Sequence, residues 1–399
     1  MRTLLTLEKR SRDGRLRERR RQHVRSFTQN LMELLYLAHA QITAAAPRQV
    51  TDVRGGIVAA DSERYANSYG RNQLANLLVA SPGGNAQVWV GGEGYYSSSN
   101  VVLDPSPQTL LPGELIGIQI GSGDSPVTPQ DTRLASRIPH GNRGPVTTPQ
   151  TLEAVLTGDT TSAALDSAAW RGFYWIPTRQ MTVTSIRLLM YRSGTPGTLN
   201  YHFKPAGLRG TGLPPDIASW NVLATASTNG DTLPTGAPYE WREFVLSPPV
   251  TVVPGLGYVF WGTRAGSGSA YRRTIGTSGC AYANPRTVDT AEGGSTWYSQ
   301  SPLYDIRGTA PREIEYGACE VTGLRVTNPT AEFLIRRLFT NRSGGDVTVA
   351  ECGIYAGCSW RPGYGSSFPL CICRDVIDPP LVVGDGEVLA VSYTPQITV

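Results

Sequence analysis

Lysine is nearly missing from this chain: Lys9 and Lys204 are the only two among its 36 Lys and Arg residues. Long hydrophobic runs are missing too. The most apolar stretch, Leu31 to Ala46, contains Glu33, His39 and Gln41, and so falls short of the ~18 uncharged residues of a membrane span; no membrane insertion is expected. The run Leu4-Leu5-Thr6-Leu7 is too short for a secretory signal and is followed by arginines instead of a small-residue cleavage site. The chain is therefore expected to fold in a cytosol, with its six cysteines starting as thiols. The four histidines, His23, His39, His140 and His202, offer no zinc-type pair at i and i+4. A Gly-x-Ser-x-Gly nucleophile elbow does not occur. Gly121-Ser122-Gly123 lacks the following Lys-Ser/Thr, and the helix, of a phosphate loop. Asp216, Asp231, Glu240, Glu243 and Asp305 are candidate carboxylates for glycan hydrolysis. Glu240 and Glu243 fall on opposite faces of one strand by period-two alternation, so solvated surface is the preferred reading. No catalytic constellation assembles, and the expectation is a protein that is not an enzyme and has no cofactor and no metal.

What the sequence does have is punctuation. Its 44 Gly and 29 Pro make up about 18% of the residues, which favours many short strands joined by turns. The 40% of hydrophobic residues are enough for packed cores and exclude wholesale disorder. The chain length suggests two or three domains. The net charge of +4 conceals an asymmetry, because residues 1–25 hold ten basic groups against Glu8, Asp13 and Glu18. That segment is strongly positive and the remainder faintly negative, so only the N-terminal region is a candidate for binding polyanions.

From Gly14 to Ala46, Val24, Phe27, Leu31, Leu34, Leu35, Ala38 and Ile42 recur at spacings of three and four, predicting an amphipathic helix with a basic first half that ends at Pro47. Its apolar stripe would pack on the next domain or on copies of itself. After Pro47 the pattern changes to short strands: Gln87 to Val90, Leu115 to Ile120, Glu320 to Val326, Phe333 to Phe339, Val347 to Tyr355 and Glu387 to Thr394. Asn341 to Asp346 reads as a hairpin turn. Between these groups, Phe173–Trp175, Met181–Tyr191, Thr198–Lys204, Val222–Ser227, Glu240–Leu246 and Gly257–Arg264 follow one another without helical periodicity, predicting a separate antiparallel sandwich. The fold class is thus mainly β, an N-terminal α-helix followed by an antiparallel β-sandwich that a second β-sandwich or jelly roll interrupts. The expected divisions are a basic arm at 1–46, a scaffold at 47–142 and 312–399, and the insert at 143–311.

Two segments carry a resemblance. Gly121-Ser122-Gly123-Asp124-Ser125-Pro126-Val127 through Asp131 to Gly141 resembles a segment of tailed-bacteriophage virion proteins. Glu315 to Cys319 and Phe339 to Tyr355 look like the second half of the same module, whose halves are ordinarily joined by a short connector like His140-Gly141-Asn142-Arg143-Gly144. The intervening stretch, with Trp170, Met181 to Leu188, Gly194 to Leu199, Trp241 to Leu246 and Pro254 to Tyr258, is similar to jelly-roll modules of viral and bacterial surface proteins, many of which bind carbohydrate. The resemblance implies a structural component of a phage-like virion, of the tail-fibre or decoration type. Its partners would be other virion proteins, further copies of itself as a homo-oligomer such as a trimer, and host-surface glycan. A cell-surface carbohydrate-binding adhesin is the alternative, and a glycan depolymerase ranks below it.

The residues that would serve these roles can be named. Arg10, Arg12, Arg15, Arg17, Arg19, Arg20, Arg21 and Arg25 would dock the arm or bind polyanions, without sequence-specific nucleic-acid recognition, since interleaved aromatics and a base-reading motif are missing. Trp220, Tyr271, Tyr282, Trp297 and Tyr298 fall in Gly/Ser-flanked positions and are the candidate glycan contacts, whereas Trp170, Trp175, Trp241 and Trp261 read as core. Cys352, Cys358, Cys371 and Cys373 read as buried thiols, with a four-thiolate metal site and a Cys358–Cys371 disulfide as alternatives.

Overall fold

A computed structural model describes residues 2–24, 27–33, 48–55, 57–60, 115–156, 160–165, 171–206, 221–276, 287–291, 296–298, 300–327, 329–360 and 366–398. The strand expected at Gln87 to Val90 lies outside them. The fold is mainly β and built of antiparallel sheets. By contact density the chain divides into two compact units. One comprises Met1–Pro145, Pro311–Pro362 and Ser367–Val399, and the other is principally Val146–Ala310. Among the described residues no helix is long and apolar enough to cross a membrane.

The first unit contains a five-stranded sheet in the order Glu315–Thr327, Thr330–Thr340, Val388–Thr398, Arg2–Arg10 and Leu16–Val24. This corrects the expected N-terminal helix, because residues 2–24 form a β-hairpin whose first strand pairs Leu4 with Thr394 on one side and with His23 on the other. The alternation is that of a strand: Thr3, Leu5 and Leu7 are buried, and Arg17, Arg19 and Arg21 are exposed. Arg, Glu and Gln are good helix formers, but a ladder to Val388–Thr398 and burial of two leucines outweigh a weak local propensity. Among the described residues of the expected helix, 29–33 are helical. The later part of the expected stripe, from Leu34 to Ala46, is outside the described residues.

A three-stranded sheet, Ser366–Val383, Val347–Trp360 and Gly117–Gly121, completes most of this unit. Asn341 to Asp346 is not a hairpin turn, since the strands before and after it belong to different sheets. The buried Asn341 side chain explains the corner, donating to Gly345 O and Val383 O, both at 2.8 Å, while its backbone N–H donates to Glu387 O. These bonds tie the corner to the turn before Val388–Thr398 and steer the next strand away. Leu5, Leu7, Ile118, Ile120, Phe339, Val349, Leu389 and Val391 form the apolar interior.

The second unit is β-sandwich-like. Phe173, Trp175, Tyr201, Phe203, Tyr258 and Phe260 alternate inward along Arg171–Trp175, Thr198–Ala206 and Gly257–Arg264 and are buried with Ile186, Leu188 and Phe244. Ring centroids of Tyr201 lie 4.4 Å from Phe244 and 4.5 Å from Phe260, spacings at which aromatic pairs add about 0.5–1.5 kcal/mol beyond burial. The six strands expected from Phe173 to Arg264 are all present.

Candidate functional site

The segment Gly121 to Gly141 is organised around one buried carboxylate. Glu351, fully enclosed on the strand Val347–Trp360, accepts from the backbone N–H of Gly123 (3.2 Å), Ala135 (3.0 Å) and Ser136 (2.7 Å). Arg374, 1% exposed, donates its Nε to Glu351 at 2.8 Å and its Nη1 to Asp131 at 2.7 Å, and its Nη2 bonds Ser125 O and Oγ. A Cβ at Gly121 or Gly123 would overlap the Glu351 carboxylate, which is why small residues stand there. The backbone donors that a phosphate loop would offer an anion are thus already given to an internal one. Burial pushes Asp131 up, but the Thr128 N–H and Arg374 guanidinium outweigh it and hold the carboxyl below its ordinary value. Glu351 and Arg374 were not evident from motif spacing; the only sequence signal is a carboxylate inside the apolar run Val347 to Ile354.

A second buried carboxylate fixes the connector. Glu313 accepts from the Arg143 N–H and Nε, each at 2.9 Å. Gly141 N–H donates to Ile314 O, Glu313 N–H to Arg143 O and Ile314 N–H to Pro139 O. Gly141 has φ of 141°, and a Cβ there would strike the Glu313 carboxylate. His140 is held in the same place, its Nδ1 accepting from the Tyr316 N–H at 2.9 Å. Segments 139–143 and 312–316 therefore lie side by side, where the chain leaves the first unit and re-enters it.

Cys319, Cys352, Cys371 and Cys373 are buried free thiols. The Cys358 side chain is outside the described residues. Cys352 Sγ lies 3.0 Å from Tyr393 Oη, which donates to Asp375 at 2.9 Å. Burial pushes the Cys352 and Cys373 thiols well up, reinforced by the Asp375 carboxylate, and burial likewise raises Cys371. Among the described residues no group of three or more His, Cys, Asp or Glu is placed to hold a metal ion.

The arginines do not form one arm. Arg17, Arg19 and Arg21 share the exposed face of Leu16–Val24, the edge strand of its sheet, with Glu8 paired to Arg19 at 3.1 Å. Arg20 faces the other way, bound to Glu18 at 2.6 Å and donating to Pro379 O. Arg10 is paired with Glu8 at 3.1 Å, and Arg15 with Asp13 at 3.2 Å next to the exposed Arg12 in the turn. Arg25 lies outside the described residues.

Of the five aromatic candidates, Tyr271 is the one whose side chain is described. Tyr271 is half-buried and stacks on Tyr191 at 4.8 Å, with Tyr239 5.3 Å from Tyr191. Trp220 and Tyr282 are outside the described residues, and Trp297 and Tyr298 are described only as part of the strand Thr296–Tyr298. Trp175 and Trp261 are buried, Trp241 is half-buried beneath Arg187, and Trp170 is not described. The candidate carboxylates are engaged separately: Asp305 with Arg187 at 3.1 Å, Glu243 with Ser185 at 2.6 Å, Glu240 with Arg242 at 3.0 Å and Asp231 with the Gly197 N–H at 2.8 Å. Asp216 is not among the described residues. The second unit instead holds a groove of 370 Å³ lined by Asn200, His202, Thr225, Ser227, Val245 and Ser247. Compared with known proteins, the chain matches no family model and no curated protein.

Proposed function

We propose that this chain is a structural component of a phage-like virion, in which the first unit is the scaffold and the second an inserted jelly-roll domain projecting toward host-surface glycan or neighbouring subunits. The observation that carries the reading is the arginine face of Leu16–Val24. Three guanidinium groups, those of Arg17, Arg19 and Arg21, are presented to solvent by a strand whose hairpin partner is locked into the sheet interior. A rigid cationic strand at a free sheet edge suits docking on an acidic surface of another particle protein, which adds long-range charge attraction to backbone pairing. It replaces the helical arm as the docking element.

The side-by-side segments 139–143 and 312–316 support a scaffold that can carry a second unit between them. Self-association into a homo-oligomer draws on the opposite edge strand of that sheet, Glu315–Thr327, where Leu324 is 76% and Val326 75% exposed. The reading predicts that the protein copurifies in many copies with particles produced by the genome that encodes it. Its absence from such particles by quantitative mass spectrometry overturns the reading.

A further inference from the structure

The second unit holds a groove beside two neighbouring strands that are sparsely paired. Ala224–Asn229 and Glu240–Val252 are joined by a single ladder pair, Thr225 with Ser247. Among the described residues no other ladder pair bridges them, and the 370 Å³ groove opens beside this one, within the ~300–1,000 Å³ typical of small-molecule sites. Its side chains come from alternate positions of three strands: Asn200 and His202 from Thr198–Ala206, Thr225 and Ser227 from Ala224–Asn229, Val245 and Ser247 from Glu240–Val252.

We propose that this groove binds an uncharged saccharide residue, its hydroxyls held by Asn200, His202, Thr225, Ser227 and Ser247 and its C–H face laid on Val245. The chemistry of the lining selects this ligand class. An amide, three hydroxyls and an imidazole supply both donors and acceptors at short intervals, which a polyol matches and a hydrocarbon does not. Among the described residues no carboxylate or guanidinium lines the groove, so an anionic or cationic ligand gains no ion pair from them. Burial lowers the His202 value and the nearby Lys204 charge adds to the effect, so its imidazole is neutral near pH 7 and can both donate and accept. Val245 is 64% exposed and presents an apolar surface among polar neighbours. This inference rests on the proposed contact of the second unit with glycan, and it assigns that contact to residues other than the aromatics that the sequence suggested.

The test uses the full chain and a panel of neutral monosaccharides: glucose, galactose, mannose, rhamnose and N-acetylglucosamine. Saturation-transfer difference NMR and calorimetric titration are expected to detect at least one. Asn200→Ala and His202→Ala should each raise its dissociation constant by about tenfold, as expected for a lost hydrogen bond and the partner left unpaired. Ser227→Trp, which fills the groove from an exposed position, should abolish binding while leaving the circular dichroism spectrum and unfolding midpoint unchanged. Failure of every sugar to bind, or binding that survives Ser227→Trp, overturns the groove assignment. Binding lost in Tyr271→Ala but retained in Ser227→Trp leaves glycan contact by this unit standing and moves it to the Tyr191–Tyr239–Tyr271 cluster. The particle test is separate, since incorporation does not depend on the groove.

Discussion

Arg374 donates its Nε to Glu351 Oε2 at 2.8 Å, and both side chains are almost wholly enclosed. Neither charge has water to fall back on, so each depends on the other and on the loop that wraps them. Glu351→Ala strands a buried guanidinium and leaves the N–H groups of Gly123, Ala135 and Ser136 without their acceptor. The expected loss is roughly 3–5 kcal/mol, read from urea unfolding. Gly123→Ala should destabilise the same loop by overlap with Glu351, whereas Gly344→Ala, in open space but at φ of 75°, should cost only its backbone strain.

The same cluster makes stability sensitive to acid. The folded Asp131 carboxyl sits below its ordinary value. Its contribution is therefore complete above the unfolded value, about 3.9, and is lost as pH falls through the lowered folded value. The urea midpoint should fall on acidification below about pH 4, and less steeply in Asp131→Asn. Equal slopes in the two proteins would contradict this.

The buried thiols should be inert. Cys352, Cys371 and Cys373 are held protonated by burial, and the thiolate is the reactive form. Peptide mapping after iodoacetamide treatment is expected to find these three unmodified in the native protein at pH 8 and fully alkylated in urea. Native labelling at any of them would contradict the placement.

Removal of the N-terminal hairpin is expected to unfold the first unit, because Leu5 and Leu7 are 0% and 1% exposed and their strand bridges Leu16–Val24 to Val388–Thr398. A dispensable arm at 1–25, as the helical reading implies, would instead leave the scaffold intact. Leu5→Ala should cost roughly 2–5 kcal/mol, measured by the shift in unfolding midpoint. Substitution of Arg17 or Arg21, on the exposed face, should stay within about 0.5 kcal/mol.

The readable and unreadable parts of the sequence divide on physical grounds. Between Phe173 and Arg264 the strands are rich in β-branched and aromatic residues and are separated by Gly, Pro or Asn, so local pattern is enough to place them. The hairpin at 2–24 is different, since its arginines, glutamates and glutamine favour helix locally and its deciding partner, Val388–Thr398, lies at the far end of the chain. Asn341 misleads for a related reason: its Ser-Gly-Gly neighbours look like a hairpin, and only its bonds to Val383 and Glu387 send the chain to another sheet. The groove beside Ser227 lies where two strands pair at one position, Thr225 with Ser247, which no single residue announces. Glu351 carries no motif, and its partners are backbone N–H groups from a loop more than 200 residues away.

The most direct measurement of the central claim is incorporation of an Arg17→Ser, Arg19→Ser, Arg21→Ser triple variant into particles assembled by the encoding genome. The account predicts that the native protein is present in many copies, and that the variant unfolds at the native midpoint yet is depleted from purified particles. A native protein absent from the particles, or a folded variant incorporated to the same level, would contradict it.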